Sequence, residues 1–388
     1  MTRPDAALVA YGEIGVKSRA VRARMVERLR DNLAAVLDDR GVDAAVESRW
    51  SRVVARGETP EGATAAAEAA GDVPGVVWAR PAATCQPTLD AVVGTAVGVA
   101  ERAGPSTFAV RVNRAGPAER HDFAACEAER RCGAAIEAAT GAAVDLDDPG
   151  TTVRVDARES EAFVAAREVR GPGGLPVGTQ GRAVALVSGG IDSPVAAWQT
   201  MRRGATVVPV YVDLGDYGGV DHRTRAVETV RRLGRYAPHE DLRPRVVEAG
   251  DLVADLVDRV GDTRMLSLRR AMLVAADAVA DTAGADALVT GESLGQKSSQ
   301  TGPNLAVTAA AVDRPVHRPL LTRDKEAIVD EARRVGTFTD ATVSAGCTRV
   351  APDRPETNAA LDDVEAAEPD DLLERARAAG AAARVLDG

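Results

Sequence analysis

Apolar and polar positions change period repeatedly along this chain of 388 residues. Ala6 to Tyr11 is a short apolar run, the length of a strand. From Arg19 to Asp39, Val21, Met25, Leu29, Leu33, Val36 and Leu37 recur every three or four residues, which predicts an amphipathic helix with one buried stripe. Ala44 to Val46 and Arg52 to Ala55 read as strands, so the opening is a small α+β unit. A second mixture follows. Helices are expected over 59–71, 89–103 and 122–140, with strands over 75–79, 107–113, 152–156 and 161–166.

Glycine and proline then punctuate the chain at Gly171-Pro172-Gly173-Gly174-Leu175-Pro176-Val177-Gly178, a linker or ordered turn. Beyond it, strand patterns at 183–187, 207–212, 245–248, 287–290 and 316–317 alternate with helical ones. That spacing predicts a doubly wound parallel sheet. The last stretch, 351–388, is acidic and alanine-rich, with a helix near 370–379. The expected domains are therefore 1–57, 58–170 and 171–350, followed by an acidic C-terminal tail over 351–388.

The segment with the most chemistry follows the strand Ala183–Val187. It reads Ser188-Gly189-Gly190-Ile191-Asp192-Ser193, with Pro194 at the expected start of a helix. Two glycines let backbone amides approach a ligand, and Ser188 and Ser193 add hydroxyl donors. A helix N-terminus favours anions. The loop is thus built for phosphate. It lacks the lysine of G-x-x-x-x-G-K-[ST] and the spacing of G-x-G-x-x-G. S-G-G-x-D-S is the pattern of enzymes that split ATP between its α and β phosphates. Ligands meet such sheets at the carboxyl ends of the strands, where this loop sits.

Composition narrows the setting. Hydrophobic residues make up 45% and aromatics 3%, so Ala, Val and Leu must fill the cores. Net charge is −10, and only three of the 48 Lys and Arg residues are lysine (Lys17, Lys297 and Lys325). This balance suggests a salt-adapted, halophile-like cytoplasm. An acidic total weighs mildly against nucleic-acid binding, although a local arginine face in high salt escapes that argument. No apolar run is long enough for a membrane span, and Met1-Thr2-Arg3-Pro4-Asp5 lacks a signal-peptide pattern. Cys85, Cys126, Cys132 and Cys347 form no C-x-x-C pair, which argues against a zinc site. His121, His222, His239 and His317 share no ligand spacing.

Several motifs then resemble one family, the tRNA 4-thiouridine synthetases, or tRNA uracil 4-sulfurtransferases. Tyr11-Gly12-Glu13-Ile14-Gly15-Val16-Lys17-Ser18 is similar to the start of its ferredoxin-like domain. Residues from about 60 to 168 resemble a THUMP RNA-binding domain, and 171–181 the approach to its pyrophosphate loop. Thr290-Gly291-Glu292-Ser293-Leu294-Gly295-Gln296 with Ser298-Ser299-Gln300-Thr301 is highly specific to the family. Arg318-Pro319-Leu320 and Asp324-Lys325-Glu326 extend the match, which runs in order from about residue 5 to 358. The likeness is to the archaeal type without a rhodanese-like domain.

The resemblance implies a ferredoxin-like unit, a THUMP domain and a PP-loop ATP pyrophosphatase domain. It implies ATP-dependent sulfur transfer to uridine 8 of tRNA, through adenylation of uracil O4. Ser188, Gly189, Gly190 and Ser193 would cradle pyrophosphate. Asp192 would hold Mg²⁺ or orient the loop. Leu186, Val187, Tyr211 and Val212 would line the adenosine pocket, with Arg269, Gly291 and Gln300 as further ATP contacts and Glu292 and Lys297 as lesser candidates. Cys347 maps onto the family's active-site cysteine, with Arg349 nearby to favour its thiolate. Arg111, Arg114, Arg120, Arg130 and Arg131 would meet tRNA phosphates. The sulfur donor would be a cysteine desulfurase persulfide or inorganic sulfide, the location cytoplasmic and the assembly a possible homodimer. The rival readings are another ATP pyrophosphatase, such as an amide-forming ligase or a 2-thiolating enzyme, and a non-catalytic tRNA-binding protein.

Overall fold

A computed structural model describes residues 2–49, 51–218, 220–338 and 349–386. The chain divides into two compact units, Met1–Pro176 and Val177–Gly388.

The first unit is one sheet with helices. Its elements are β1 (Ala6–Tyr11), α1 (Arg19–Asp39), β2 (Ala44–Arg49), β3 (Arg52–Gly57), α2 (Pro60–Ala70), β4 (Val76–Cys85), α3 (Leu89–Ala103), β5 (Thr107–Arg114), α4 (Ala125–Thr140), β6 (Ala143–Val144), β7 (Thr151–Ala157), β8 (Ala162–Ala165) and β9 (Val169–Arg170). The strand order is β2-β3-β1-β4-β8-β7-β5-β6, with β9 beside β4. The stripe read on α1 buries Leu29, Leu33 and Val36 against Ala7 and Val9 of β1 and Ala66 and Ala70 of α2. The opposite face of β1, Ala6 and Leu8, packs with Val54 and Phe163.

β4 runs six residues beyond the expected end at Ala79 and joins the two halves of the sheet. Ala6–Tyr11 pairs with its first part and β8 with Ala83–Cys85. Pro81 sits between the stretch bonded to β9 (Trp78 and Ala79) and that bonded to β8, so its missing N–H costs no ladder bond on that edge. Cys132 is buried in the core of the second half, and burial pushes its thiol up to about 11.

The second unit holds β10 (Arg182–Leu186), α5 (Asp192–Arg202), β11 (Thr206–Asp213), α6 (Val220–Gly234), β12 (Arg245–Glu248), α7 (Gly250–Arg259), α8 (Arg264–Ala283), β13 (Ala287–Val289), α9 (Gly302–Ala309), β14 (Val316–His317), α10 (Lys325–Val335), α11 (Leu361–Ala367), α12 (Leu372–Ala381) and β15 (Arg384–Val385). The sheet order is β14-β13-β10-β11-β12-β15, parallel throughout except for β15. Alternate residues of β10 feed two cores. Val184 joins α8 and α12, while Ala183 and Ala185 join Trp198 of α5, Leu233 of α6 and Ile328 of α10. The chain leaves β10 toward β11 on one side and returns to β13 on the other, which makes the β10–β13 boundary the topological switch point.

The acidic stretch is packed where it is described, over residues 351–386. Leu372 and Ala376 of α12 enter the core, and Gly380 lies where a Cβ would run into the backbone of Ala275. Buried Arg270 on α8 holds Glu365 at 2.8 Å and Glu368 at 2.9 Å. No helix among the described residues is long and apolar enough to cross a membrane.

Candidate functional site

The carboxyl ends of β10, β11 and β13 enclose a cavity of about 340 Å³. Leu186, Val187, Ser188, Gly190, Asp192, Ser193, Tyr211, Val212, Arg269, Gly291 and Gln300 all line it. Among the residues expected to bind ATP or pyrophosphate, Gly189 is the exception: it faces α6, where an added Cβ would lie 3.0 Å from the Cβ of Arg225.

The loop is shaped by its own hydroxyls. The Ser188 amide donates to Ser193 Oγ at 2.8 Å, the two hydroxyls lie 3.0 Å apart, and the Gly190 amide donates to Ser188 Oγ at 3.3 Å. Helix α5 begins at Asp192, so Pro194 is its third residue and not its first. The reason is that every first-turn amide lacks an intrahelical acceptor, which leaves proline tolerable throughout that turn.

Gly291 brings the end of β13 against the start of α5. A Cβ there would lie 2.6 Å from Ser193 N, 2.7 Å from Ser193 Cα and 2.8 Å from Asp192 C. Asp192 is held from two sides, by Lys325 Nζ at 2.6 Å and Gln296 Nε2 at 3.2 Å. Asp324 caps α10 by accepting from the Ala327 amide at 2.8 Å, which fixes Lys325 in the first turn.

A second charged group forms the wall beneath. Buried Glu292 accepts from Arg269 Nη1 at 2.6 Å, Arg318 Nε at 2.7 Å and Thr290 Oγ1 at 2.9 Å. Burial alone would raise its carboxyl, but the two guanidinium groups and the hydrogen bonds from Arg318 and Thr290 outweigh it and hold the group below its ordinary value. Arg269 Nε and Arg318 Nη2 are buried with no hydrogen-bond partner among the described residues. Gln300 is a positioning group in this state, its Oε1 accepting from the Ser293 amide at 3.3 Å. The remaining wall is apolar: Met265, Leu268, Met272 and Leu273 of α8 face Val210, Tyr211 and Val212 of β11.

Cys347 lies outside the described residues. Of the arginines expected to meet tRNA, Arg111 donates to Leu146 O at 2.9 Å and Arg114 to Phe123 O at 2.5 Å. Arg120 pairs with Glu159 at 2.5 Å and Arg131 with Asp90 at 3.0 Å, while Arg130 is exposed.

Sequence reading assigned no role to Lys325, Gln296, Arg318 or the α8 wall. Lys325 carried a signal. It is one of three lysines, and a cation in the first turn of a helix opposes the helix dipole.

A phosphate-shaped loop at the switch point of a doubly wound parallel sheet defines a nucleotide-binding domain of the PP-loop class. Comparison with known proteins takes this further. Family models match for "Thiamine biosynthesis protein (ThiI)" over residues 178–372, "ThiI ferredoxin-like domain" over 6–79 and "THUMP domain" over 90–167. The chain is 51% identical over 383 residues to the probable tRNA sulfurtransferase of Halobacterium salinarum, covering 97% of this chain and 96% of that one. It is 36% identical over 370 residues to that of Methanosarcina acetivorans, covering 93% and 88%. A crystal structure of a 4-thiouridine synthetase–RNA complex with bound ATP superposes with a TM-score of 0.85 at 27% identity, covering 99% of each chain. The chain belongs to the tRNA sulfurtransferase family.

Proposed function

We propose that this chain makes 4-thiouridine at position 8 of tRNA, using ATP to activate the base. Uracil O4 attacks the α-phosphorus, the α–β anhydride breaks and pyrophosphate leaves. Sulfur then attacks C4 and AMP departs with the oxygen. The observation that carries this reading is the lysine-free loop 188–193 on the cavity at the β10–β13 switch point. The free amides of the first turn of α5 and the hydroxyls of Ser188 and Ser193 supply the donors that stabilise charge developing on departing phosphate.

Adenosine binds between the α8 wall and Leu186, Val187, Tyr211 and Val212. Arg269 and Gly291 complete the nucleotide site, and Gln300 shapes the 291–300 segment. Lys325 and Asp192 form the ion pair at the mouth of the loop. Asp192 is one carboxylate in a site that already brings phosphate oxygens, and Mg²⁺ takes one or two carboxylates plus substrate phosphates. Each of its oxygens accepts one hydrogen bond and keeps acceptor capacity. The residues therefore fit the ion, with Asp192 as its protein ligand, and the ion would add charge neutralisation on the phosphates.

Either the Cys347 thiol takes the outer sulfur of a donor persulfide, releasing the donor as a thiol, and that sulfur attacks C4, after which an external thiol reductant cleaves the Cys347–S–S–C4 disulfide to free 4-thiouridine and the Cys347 thiol, or sulfide attacks C4 directly. In the first unit Arg111, Arg114, Arg120, Arg130 and Arg131 contact tRNA phosphates. The functional segments follow the ranges 1–57, 58–170 and 171–350, followed by the acidic stretch 351–388, and the enzyme works in the cytoplasm.

The test is nucleoside mass spectrometry of tRNA from a deletion strain carrying Asp192→Ala or Lys325→Met. Loss of 4-thiouridine with both proteins folded is expected. Wild-type levels in either variant would overturn the assignment of that pair, and 4-thiouridine persisting in the deletion strain itself would overturn the function.

A further inference from the structure

We propose that Arg225, on α6, is a pyrophosphate-binding residue of this site. The inference rests on the reading of loop 188–193 as the phosphate cradle.

A phosphate loop without lysine needs positive charge from elsewhere. The cations around the cavity are largely matched already. Lys325 pairs with Asp192 and Arg269 with Glu292, while Lys297 is exposed on the 291–300 segment. Arg225 differs in both place and partners. Its stem packs directly on the loop: a Cβ added to Gly189 would stand 3.0 Å from Arg225 Cβ and 3.3 Å from its Nε. Glycine at 189 is what lets an arginine come so close to the loop backbone. From the same turn of α6, His222 lines the cavity itself.

The guanidinium is oriented and unneutralised. Nε donates to the Asp221 carbonyl one turn back at 3.1 Å. Nη1 is buried with no hydrogen-bond partner among the described residues. No described carboxylate lies within ion-pair distance of Arg225, whereas Arg223, two residues earlier, has Asp213 at 3.5 Å and Glu248 at 3.4 Å. A buried N–H without an acceptor is costly, and so is a charge without a counterion. An anion with several oxygens, held by the loop, answers both. Arginine suits that task because its planar fork matches phosphate geometry.

The experiment is isothermal titration of the full chain with pyrophosphate and, separately, with AMP, for wild type, Arg225→Gln and Arg225→Lys. Arg225→Gln is expected to weaken pyrophosphate by about 10- to 100-fold, the range of a charge-assisted hydrogen bond, and to leave AMP within about twofold. Arg225→Lys keeps the charge without the fork and should fall in between. Should the Gln variant fail to fold, the Lys variant decides on the same two ligands. Unchanged pyrophosphate affinity overturns the proposal. Equal loss of pyrophosphate and AMP overturns it too, since that marks a structural role. Failure of the underlying reading looks different, because then wild type itself would not bind pyrophosphate.

Discussion

Alanine at position 291 would put a methyl group where the backbone of α5 already stands. The three nearest atoms are Ser193 N, Ser193 Cα and Asp192 C, at 2.6, 2.7 and 2.8 Å, and none belongs to a side chain that can swing away. Gly291 has no left-handed φ, so the effect is steric and not torsional. Reaching ordinary contact near 3.4 Å requires a movement of about 0.8 Å between the end of β13 and the start of α5. That shift displaces the Ser188–Ser193 hydrogen bonds that shape the loop. Overpacking of this kind costs about 1–3 kcal/mol of stability. A misplacement near 1 Å in a catalytic site costs roughly 100-fold in rate. The expected result for Gly291→Ala is therefore a kcat/KM for ATP down about 100-fold, measured as tRNA-dependent pyrophosphate release. Its urea midpoint should fall only modestly. Gly133→Ala is the control, because a Cβ in that helix meets nothing within 4 Å. It should stabilise the protein by about 0.5–1 kcal/mol. Wild-type turnover by Gly291→Ala would refute the idea that this close approach sets the loop.

Two further outcomes follow from buried groups. Glu292→Gln leaves Arg269 and Arg318 facing each other without an anion, and should cost about 3–5 kcal/mol at neutral pH in urea unfolding. The Glu292 carboxyl is held below its ordinary value of 4.5, so its stabilisation is present above that value and fades as pH falls through the lower folded value. The gap between wild type and Glu292→Gln should accordingly shrink in acid, and a gap independent of pH would contradict the charge argument. Alkylation of the native protein near pH 8, followed by peptide mass spectrometry, should modify exposed Cys126 well before Cys132, whose thiol sits near 11. Equal rates would contradict the burial of Cys132.

What the sequence disclosed was mostly local. Ala6–Tyr11 and Arg19–Asp39 occur with the ends read from their patterns, because one short apolar run and one helical stripe each specify a single element. The loop 188–193 was legible for the same reason, since its chemistry is contiguous. Features that depend on distant partners were not. Asp192 and Lys325 are 133 positions apart, and Glu292 meets Arg318 from 26 positions away. Met265, Leu268 and Met272 form a helical stripe that reads as core whether it faces a sheet or a ligand. The continuation of β4 past Pro81 was hidden because proline normally ends a strand, and only the neighbouring pairings show where it is harmless. The packed helices of 351–388 were obscured by acidic composition, although Leu372, Ala376 and Gly380 keep helical spacing on the face that meets α8.

The central claim is that uracil O4 becomes a leaving group on AMP. The direct measurement uses tRNA carrying oxygen-18 at O4 of uridine 8, with ATP, a sulfide source and the purified protein, and weighs the products by mass spectrometry. The expected result is one labelled oxygen on AMP for each 4-thiouridine formed, with pyrophosphate unlabelled. AMP without the label, or ADP in its place, would contradict adenylation of the base.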